Sequence, residues 1–244
     1  MKTPLRATAV ALCALLALTG CQKSADAAFG EKVRGYLLEH PEVIEEAIVA
    51  LNTKKQAAAN DSVKAALVAH RKELEADPRD FVANPGGKIT VVEFFDYRCG
   101  YCRASAPEVL QIIHDNPDIR FVFKEFPIFG ELSDVAAKVA LTPAGKAKGL
   151  ALYAALMGQD KLDEAAFDRH LTELGMNPAA AKAGGEAPAI AKQLADTRQL
   201  AKALNIEGTP AFIIGDRMVP GADMAAVRAA ITDAKAGTAK RAGS

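Results

Sequence analysis

The chain has no tryptophan, and only four cysteines and four histidines stand among its 244 residues. Aromatics make up 6% of the sequence, so a core has to be built from Leu, Val, Ile, Ala and Phe. The 30 basic and 30 acidic residues cancel. That balance leaves no electrostatic footprint for nucleic acid and no single-sign field for steering a charged substrate. The few histidines also argue against zinc, which takes four ligands, usually in paired Cys or His spacing. His114 has no second His at that spacing, and His40, His70 and His170 fall on separate helical stretches. Beyond the first twenty residues no apolar run approaches the ~20 residues that a membrane-spanning helix needs. No internal repeat is visible, and the composition is that of an ordinary globular protein.

The first twenty residues differ from the rest. Lys2 and Arg6 form a positive start, residues 7–18 are an apolar run of signal-peptide length, and Leu18-Thr19-Gly20-Cys21 closes it. Residues 1–20 thus read as a signal peptide of lipoprotein type. The ending resembles a bacterial lipobox, which implies lipidation at Cys21; a plain secretory signal with an incidental Cys21 is the alternative. Either reading places the protein in the cell envelope or periplasm, and the first anchors it to the membrane by lipid.

With Cys13 in the removed peptide and Cys21 acylated, only Cys99 and Cys102 remain, as a Cys-x-x-Cys pair. A bridge across so short a loop removes little unfolded-state entropy, so the pair points to chemistry. Two soft thiolates also suit Cu(I).

Residues 22–28 read as a polar tether. Phe29, Val33, Tyr36 and Leu37 recur at helical spacing, and Pro41 suits the start of a second helix. Val43, Ile44, Ala47, Ile48 and Leu51 make an apolar stripe along it. A more polar helical stretch follows, ended by Asp77-Pro78. The turn Asn84-Pro85-Gly86-Gly87 marks the expected boundary between an N-terminal helical segment, 21–85, and a catalytic domain, 86–244. There Ile89-Thr90-Val91-Val92-Glu93-Phe94-Phe95 reads as a strand buried on both faces. The Cys pair comes next, then a helix through Val109, Leu110 and Ile113, and a second strand over 119–126. An Ala-rich helical block spans 131–192, with breaks near Thr142-Pro143, Gly158, Gly175 and Gly184-Gly185. A helix ending at Asn205, a hairpin about Gly215-Asp216 and a last helix over 224–234 complete the chain, with a frayed tail from 236. This is the element order of an α/β thioredoxin fold with an inserted helical subdomain, preceded by an N-terminal helical arm.

A thiolate, not a thiol, attacks disulfides. Cys99 opens a helix, where unpaired backbone N–H groups and the helix dipole favour negative charge. Cys102 lies one turn further in and is shielded. Cys99 is therefore the expected nucleophile and Cys102 the resolving thiol, with Cys99–Cys102 as the redox disulfide. Glu93 is the single charge in an otherwise apolar strand. Buried behind the thiols, it would have a raised pKa and could exchange a proton with Cys102; a strand-end Glu facing solvent is the bland alternative. This chemistry calls for no cofactor and no metal.

Val92-Glu93-Phe94-Phe95-Asp96-Tyr97-Arg98-Cys99-Gly100-Tyr101-Cys102 resembles the active-site segment of DsbA-like thiol:disulfide oxidoreductases. Phe123-Lys124-Glu125-Phe126-Pro127-Ile128 and Gly208-Thr209-Pro210-Ala211-Phe212 resemble that family's second strand and cis-proline loop, and the likeness covers residues 88–236. It implies a kink at Pro107, a cis Thr209–Pro210 bond beside Cys99, and substrate contacts from Thr209, Pro210, Gly100 and Tyr101. Strong oxidants of the family carry Pro-His between the cysteines. Gly100-Tyr101 therefore implies a less depressed thiol pKa and a potential milder than ~−120 mV. Glu39-His40-Pro41-Glu42-Val43-Ile44 and the stripe after it resemble the N-terminal segment of the ScsC, suppressor-of-copper-sensitivity, branch. There the segment implies a homo-oligomer, a trimer in some members, and disulfide isomerase activity. The other reading has the stripe packing on the chain's own catalytic domain. Expected partners are exported proteins with cysteines, a membrane redox partner and Cu(I). A monomeric DsbA-like oxidase and a copper-binding surface lipoprotein are the alternative functions.

Overall fold

The computed structural model describes residues 27–242. The chain divides into two compact units, one up to Asn60 and one from Asp61 onward. In the first, helix α1 covers residues 27–39, Pro41 interrupts it, and α2 (Glu42–Ala69) begins directly after. Phe29, Tyr36, Leu38, Ile44, Ile48, Val49 and Leu51 are exposed. Of the expected stripe only Val43 is half-buried.

The second unit is built on a five-stranded sheet in the order β1-β3-β2-β4-β5. Its strands are β1 (Phe81–Ala83), β2 (Ile89–Phe95), β3 (Ile119–Glu125), β4 (Ala211–Ile214) and β5 (Arg217–Pro220). β2 and β3 run parallel, joined through α4 (Gly100–Asp115), and the other three pairings are antiparallel. Both central strands are β-branched and aromatic because both faces of the sheet are covered. On one face Val91, Phe95, Phe121 and Phe123 meet helices of the inserted block; on the other Val92, Phe94, Val122 and Ile213 meet Leu67, Leu74 and Leu204. Burying each of these large side chains is worth ~1.5–3 kcal/mol. The block between β3 and β4 holds α5 (Glu131–Leu141), α6 (Pro143–Lys148), α7 (Leu150–Met157), α8 (Glu164–Glu173), α9 (Pro178–Gly185) and α10 (Pro188–Ala203). It breaks at the Pro and Gly positions expected. Asn205 closes it in the left-handed conformation, with φ 56°.

Three features depart from expectation. The turn at Asn84–Gly87 lies inside the sheet, between β1 and β2, and the covering residues Leu67 and Leu74 come from α2 and α3 (Arg71–Glu75), upstream of it. Gly87 is required there, since a Cβ would sit 2.3 Å from the backbone N of Arg120. β1 pairs Phe81 with Phe123, but three residues, two half-buried and Ala83 buried, are too few to show a periodicity that announces a strand. α11 (Met224–Ala242) runs past the expected frayed tail, as its Ala, Lys and Arg favour helix. Lys124, on β3, is buried against Asp80 and reaches the carbonyl of Glu73, which ties the segment before β1 to the sheet.

Candidate active site

Cys99 is the N-cap of α4, in extended conformation with φ −69° and ψ 120°. The chain thus turns from β2 into the helix at the sulfur, and the first free N–H groups of the helix point at it. Both thiols are unbridged and buried. Hydrogen bonding to Cys102 is the main force that lowers the Cys99 pKa to about 5; the Thr209 side chain and the backbone N–H of Cys102 and Tyr101 add to it against the cost of burial. That value lies between the ~7 of thioredoxin and the ~3.5 of the strong oxidant DsbA, in line with the Gly100-Tyr101 dipeptide. Cys102 is pushed the other way, first by burial, then by its hydrogen bond to Cys99 and the charge of Glu93. One thiol is made to ionise and the other to stay protonated.

The cis Thr209–Pro210 bond is present, and the Cys99 thiol donates to the Thr209 carbonyl at 3.2 Å. Gly100 and Tyr101 are exposed at the mouth, Tyr101 at 72%. Glu93 is fully buried, so the solvent-facing alternative does not hold. Burial raises its pKa to about 8, opposed by the Tyr153 hydroxyl, which donates to both carboxylate oxygens at 3.4 and 3.3 Å. The expected residues Cys99, Cys102, Glu93, Thr209, Pro210, Gly100 and Tyr101 all fall in this one unit. Cys21 lies outside the described residues.

Three contributors are given no role by the sequence. Tyr153 arrives from α7, sixty positions from Glu93. Asp96, buried, accepts from the backbone N–H of Arg98, Ile128 and Phe129 at 2.7, 2.7 and 3.0 Å. With Arg98, which donates to the Phe129 carbonyl at 2.6 Å, it fixes the loop after β3. Ile128 and Phe129 are exposed on that loop. Glu125, also buried, accepts from the Tyr97 hydroxyl at 3.0 Å.

The family model of the DsbA-like thioredoxin domain matches residues 90–231. That of the copper resistance protein ScsC N-terminal domain matches residues 26–58. Among solved structures, a thioredoxin-like oxidoreductase from Silicibacter pomeroyi is 38% identical, covering 68% of this chain and 97% of that one, with TM-score 0.64. BcfH of Salmonella enterica Typhimurium is 30% identical over 90% of this chain and 99% of its own, with TM-score 0.69. ScsC of Proteus mirabilis, in a transitional conformation, is 29% identical over 89% and 99%, with TM-score 0.63. The chain spans only 27% and 23% of the length of the two Salinispora Na(+)/H(+) antiporters it matches among curated proteins. With its catalytic unit matched over more than half of its length, the chain belongs to the DsbA-like thioredoxin family of thiol–disulfide oxidoreductases.

Proposed function

We propose that this protein is exported, exchanges disulfides with envelope proteins through Cys99 and Cys102, and works chiefly as a disulfide isomerase. One arrangement supports the exchange: a buried thiol at the start of α4, its pKa held to about 5, faces the Thr209 carbonyl. At pH 7 that sulfur is mostly thiolate. It attacks a client disulfide, a Cys99–client S–S bond forms, the client S–S bond breaks, and the second client sulfur leaves as thiolate. In isomerisation that freed thiolate attacks another disulfide of the client, the sulfur released there attacks the client sulfur bonded to Cys99, and Cys99 leaves as thiolate, with no net redox change. If it does not, Cys102 passes its proton to the ionised form of Glu93, a minor form at pH 7 that grows as pH rises towards 8, and attacks the Cys99 sulfur. The client then leaves reduced, and a membrane redox partner reduces the Cys99–Cys102 disulfide. Thr209, Pro210, Gly100 and Tyr101 border the client; Pro210, without an N–H, leaves room beside the sulfur.

The isomerase reading rests on the N-terminal unit. Its exposed apolar side chains include Ile44, Ile48, Val49 and Leu51, and each large aliphatic left in water forfeits ~1.5–3 kcal/mol. The ScsC N-terminal match covers this stretch. A second copy of the same helix is the proposed cover. Several active sites around one shared client favour reshuffling over single-pass oxidation. Light scattering and scrambled-ribonuclease refolding on the chain from Gln22, compared with the chain from Asp61, test this. The later start keeps Leu67 and Leu74 over the sheet. The long form is expected to be oligomeric and to reshuffle; the short form should be monomeric, with isomerase activity lost. Monomers in both cases with equal isomerase activity would leave a DsbA-like oxidase. Loss of activity with stoichiometric Cu(I) would favour copper binding at the same thiols, a second reading suggested by the copper-resistance description of the N-terminal match.

Among the described residues no helix is long and apolar enough to cross a membrane, and lipid attachment at Cys21 is the proposed anchor. Metabolic labelling with a fatty acid is expected to mark the wild type and not Cys21→Ala. An unlabelled mature wild type would leave ordinary secretion.

A further inference from the structure

The proton that Glu93 accepts from Cys102 has to go somewhere, and Glu93 is sealed from solvent. The register pairs Glu93 with Phe123 and Phe95 with Glu125. Because side chains alternate along strands, Glu93 and Glu125 share one face of the sheet as diagonal neighbours. Tyr97, from the loop after β2, donates to Glu125, and the charges that act on it are those of Asp96 in the same loop, Glu93 on β2 and Asp80 from before β1. Lys146 from α6 and Tyr153 from α7 meet it across a cavity of about 10 Å³ that Tyr97 and Glu125 also line. That is room for about one water. Glu125 Oε1 accepts from Tyr97, but its Oε2 is buried with no hydrogen-bond partner among the described residues. Buried polar atoms nearly always have one.

We propose that the cavity is a water site linking Tyr153 to Glu125, and that Glu125 is a positioning residue carrying the proton onward from Glu93. This rests on the reading of Glu93 as the base for Cys102. The proton moves from the Cys102 thiol to Glu93, from Glu93 to the Tyr153 oxygen as the Tyr153 proton passes to the water, and from the water to Glu125. Glu125 takes it on one oxygen and releases its own from the other to solvent on the Lys146 side, so no net charge accumulates. Burial keeps Glu125 protonated well beyond the ordinary carboxylate range, the form in which one carboxyl can both accept and donate. Lys146, only partly buried, marks the outward side of the cavity.

Resolution of a preformed Cys99 mixed disulfide, followed by stopped flow from pH 5 to 8, is the test on the full chain. Glu125→Gln keeps an acceptor for Tyr97 but cannot pass a proton. Resolution is expected to slow at least tenfold below pH 8, with Cys99 alkylation unchanged and no further loss when combined with Glu93→Gln. If Glu125→Gln fails to fold, Tyr153→Phe interrupts the same path and is expected to give the same loss. Wild-type rates in the folded variant overturn the proposal, as does full additivity with Glu93→Gln. A silent Glu93→Gln instead overturns the reading of Glu93 itself.

Discussion

Cys99→Ser is expected to reduce disulfide exchange to the uncatalysed background, while Cys102→Ser is expected to accumulate mixed disulfides between Cys99 and clients. The asymmetry follows from the opposite pressures on two sulfurs one helical turn apart. Cys99 has its pKa lowered to about 5 by donors at the helix start; Cys102 is buried, its pKa raised, and at neutral pH it is a thiol. Only Cys99 can open a client disulfide, so its loss leaves no nucleophile. Without Cys102 the attack still occurs but the mixed disulfide has no internal exit. Because Cys102 is the largest single contributor to the low Cys99 pKa, Ser at 102, which keeps a donor, should trap more than Ala. Non-reducing electrophoresis and mass spectrometry read both outcomes. Alkylation at mildly acidic pH that labels Cys102 ahead of Cys99 would reverse the assignment.

Glu93→Gln is expected to act on both rate and stability. Without the base, resolution of the mixed disulfide should slow by about 10²-fold and lose its rise through pH 8. For stability, the folded pKa is about 8 against an ordinary 4.5. Below 4.5 the carboxyl is neutral in both states and its burial carries no ionisation penalty. Between 4.5 and 8 the unfolded chain ionises first, so Glu93 lowers stability by about 1.4 kcal/mol for each pH unit, and above 8 the loss is complete. Reduced Cys99, with its pKa depressed, contributes a slope of opposite sign that is common to both proteins and cancels in the difference. Denaturant unfolding of reduced wild type and Glu93→Gln should therefore give a gap that is constant near pH 4. The gap then shifts in favour of the variant up to pH 8. A gap independent of pH, with unchanged resolution rates, would return Glu93 to a structural role.

The site was legible where chemistry interrupts a pattern and illegible where it depends on what a distant segment brings. Glu93 stood out as one charge in a β-branched and aromatic run, and Cys99 as a thiol where that run gives way to a helix. The turn residues likewise marked the breaks of the helical block. Tyr153 gave no such sign: α7 is apolar on every side, so periodicity announces burial without saying that one hydroxyl would meet Glu93. Glu125 and Asp96 lie within two of the segments that resemble the family, but their partners are a Tyr two residues past a neighbouring strand and three backbone N–H groups. Those pairings are set by strand register, which a single sequence does not display. β1 escaped because it is too short to alternate.

The account turns on a single thiolate. Ultraviolet titration of thiolate absorbance in the fully reduced protein is expected to show one transition at about pH 5, absent from Cys99→Ser and retained in Cys102→Ser. A first transition near 9, the ordinary thiol value, or one that survives in Cys99→Ser, would contradict it.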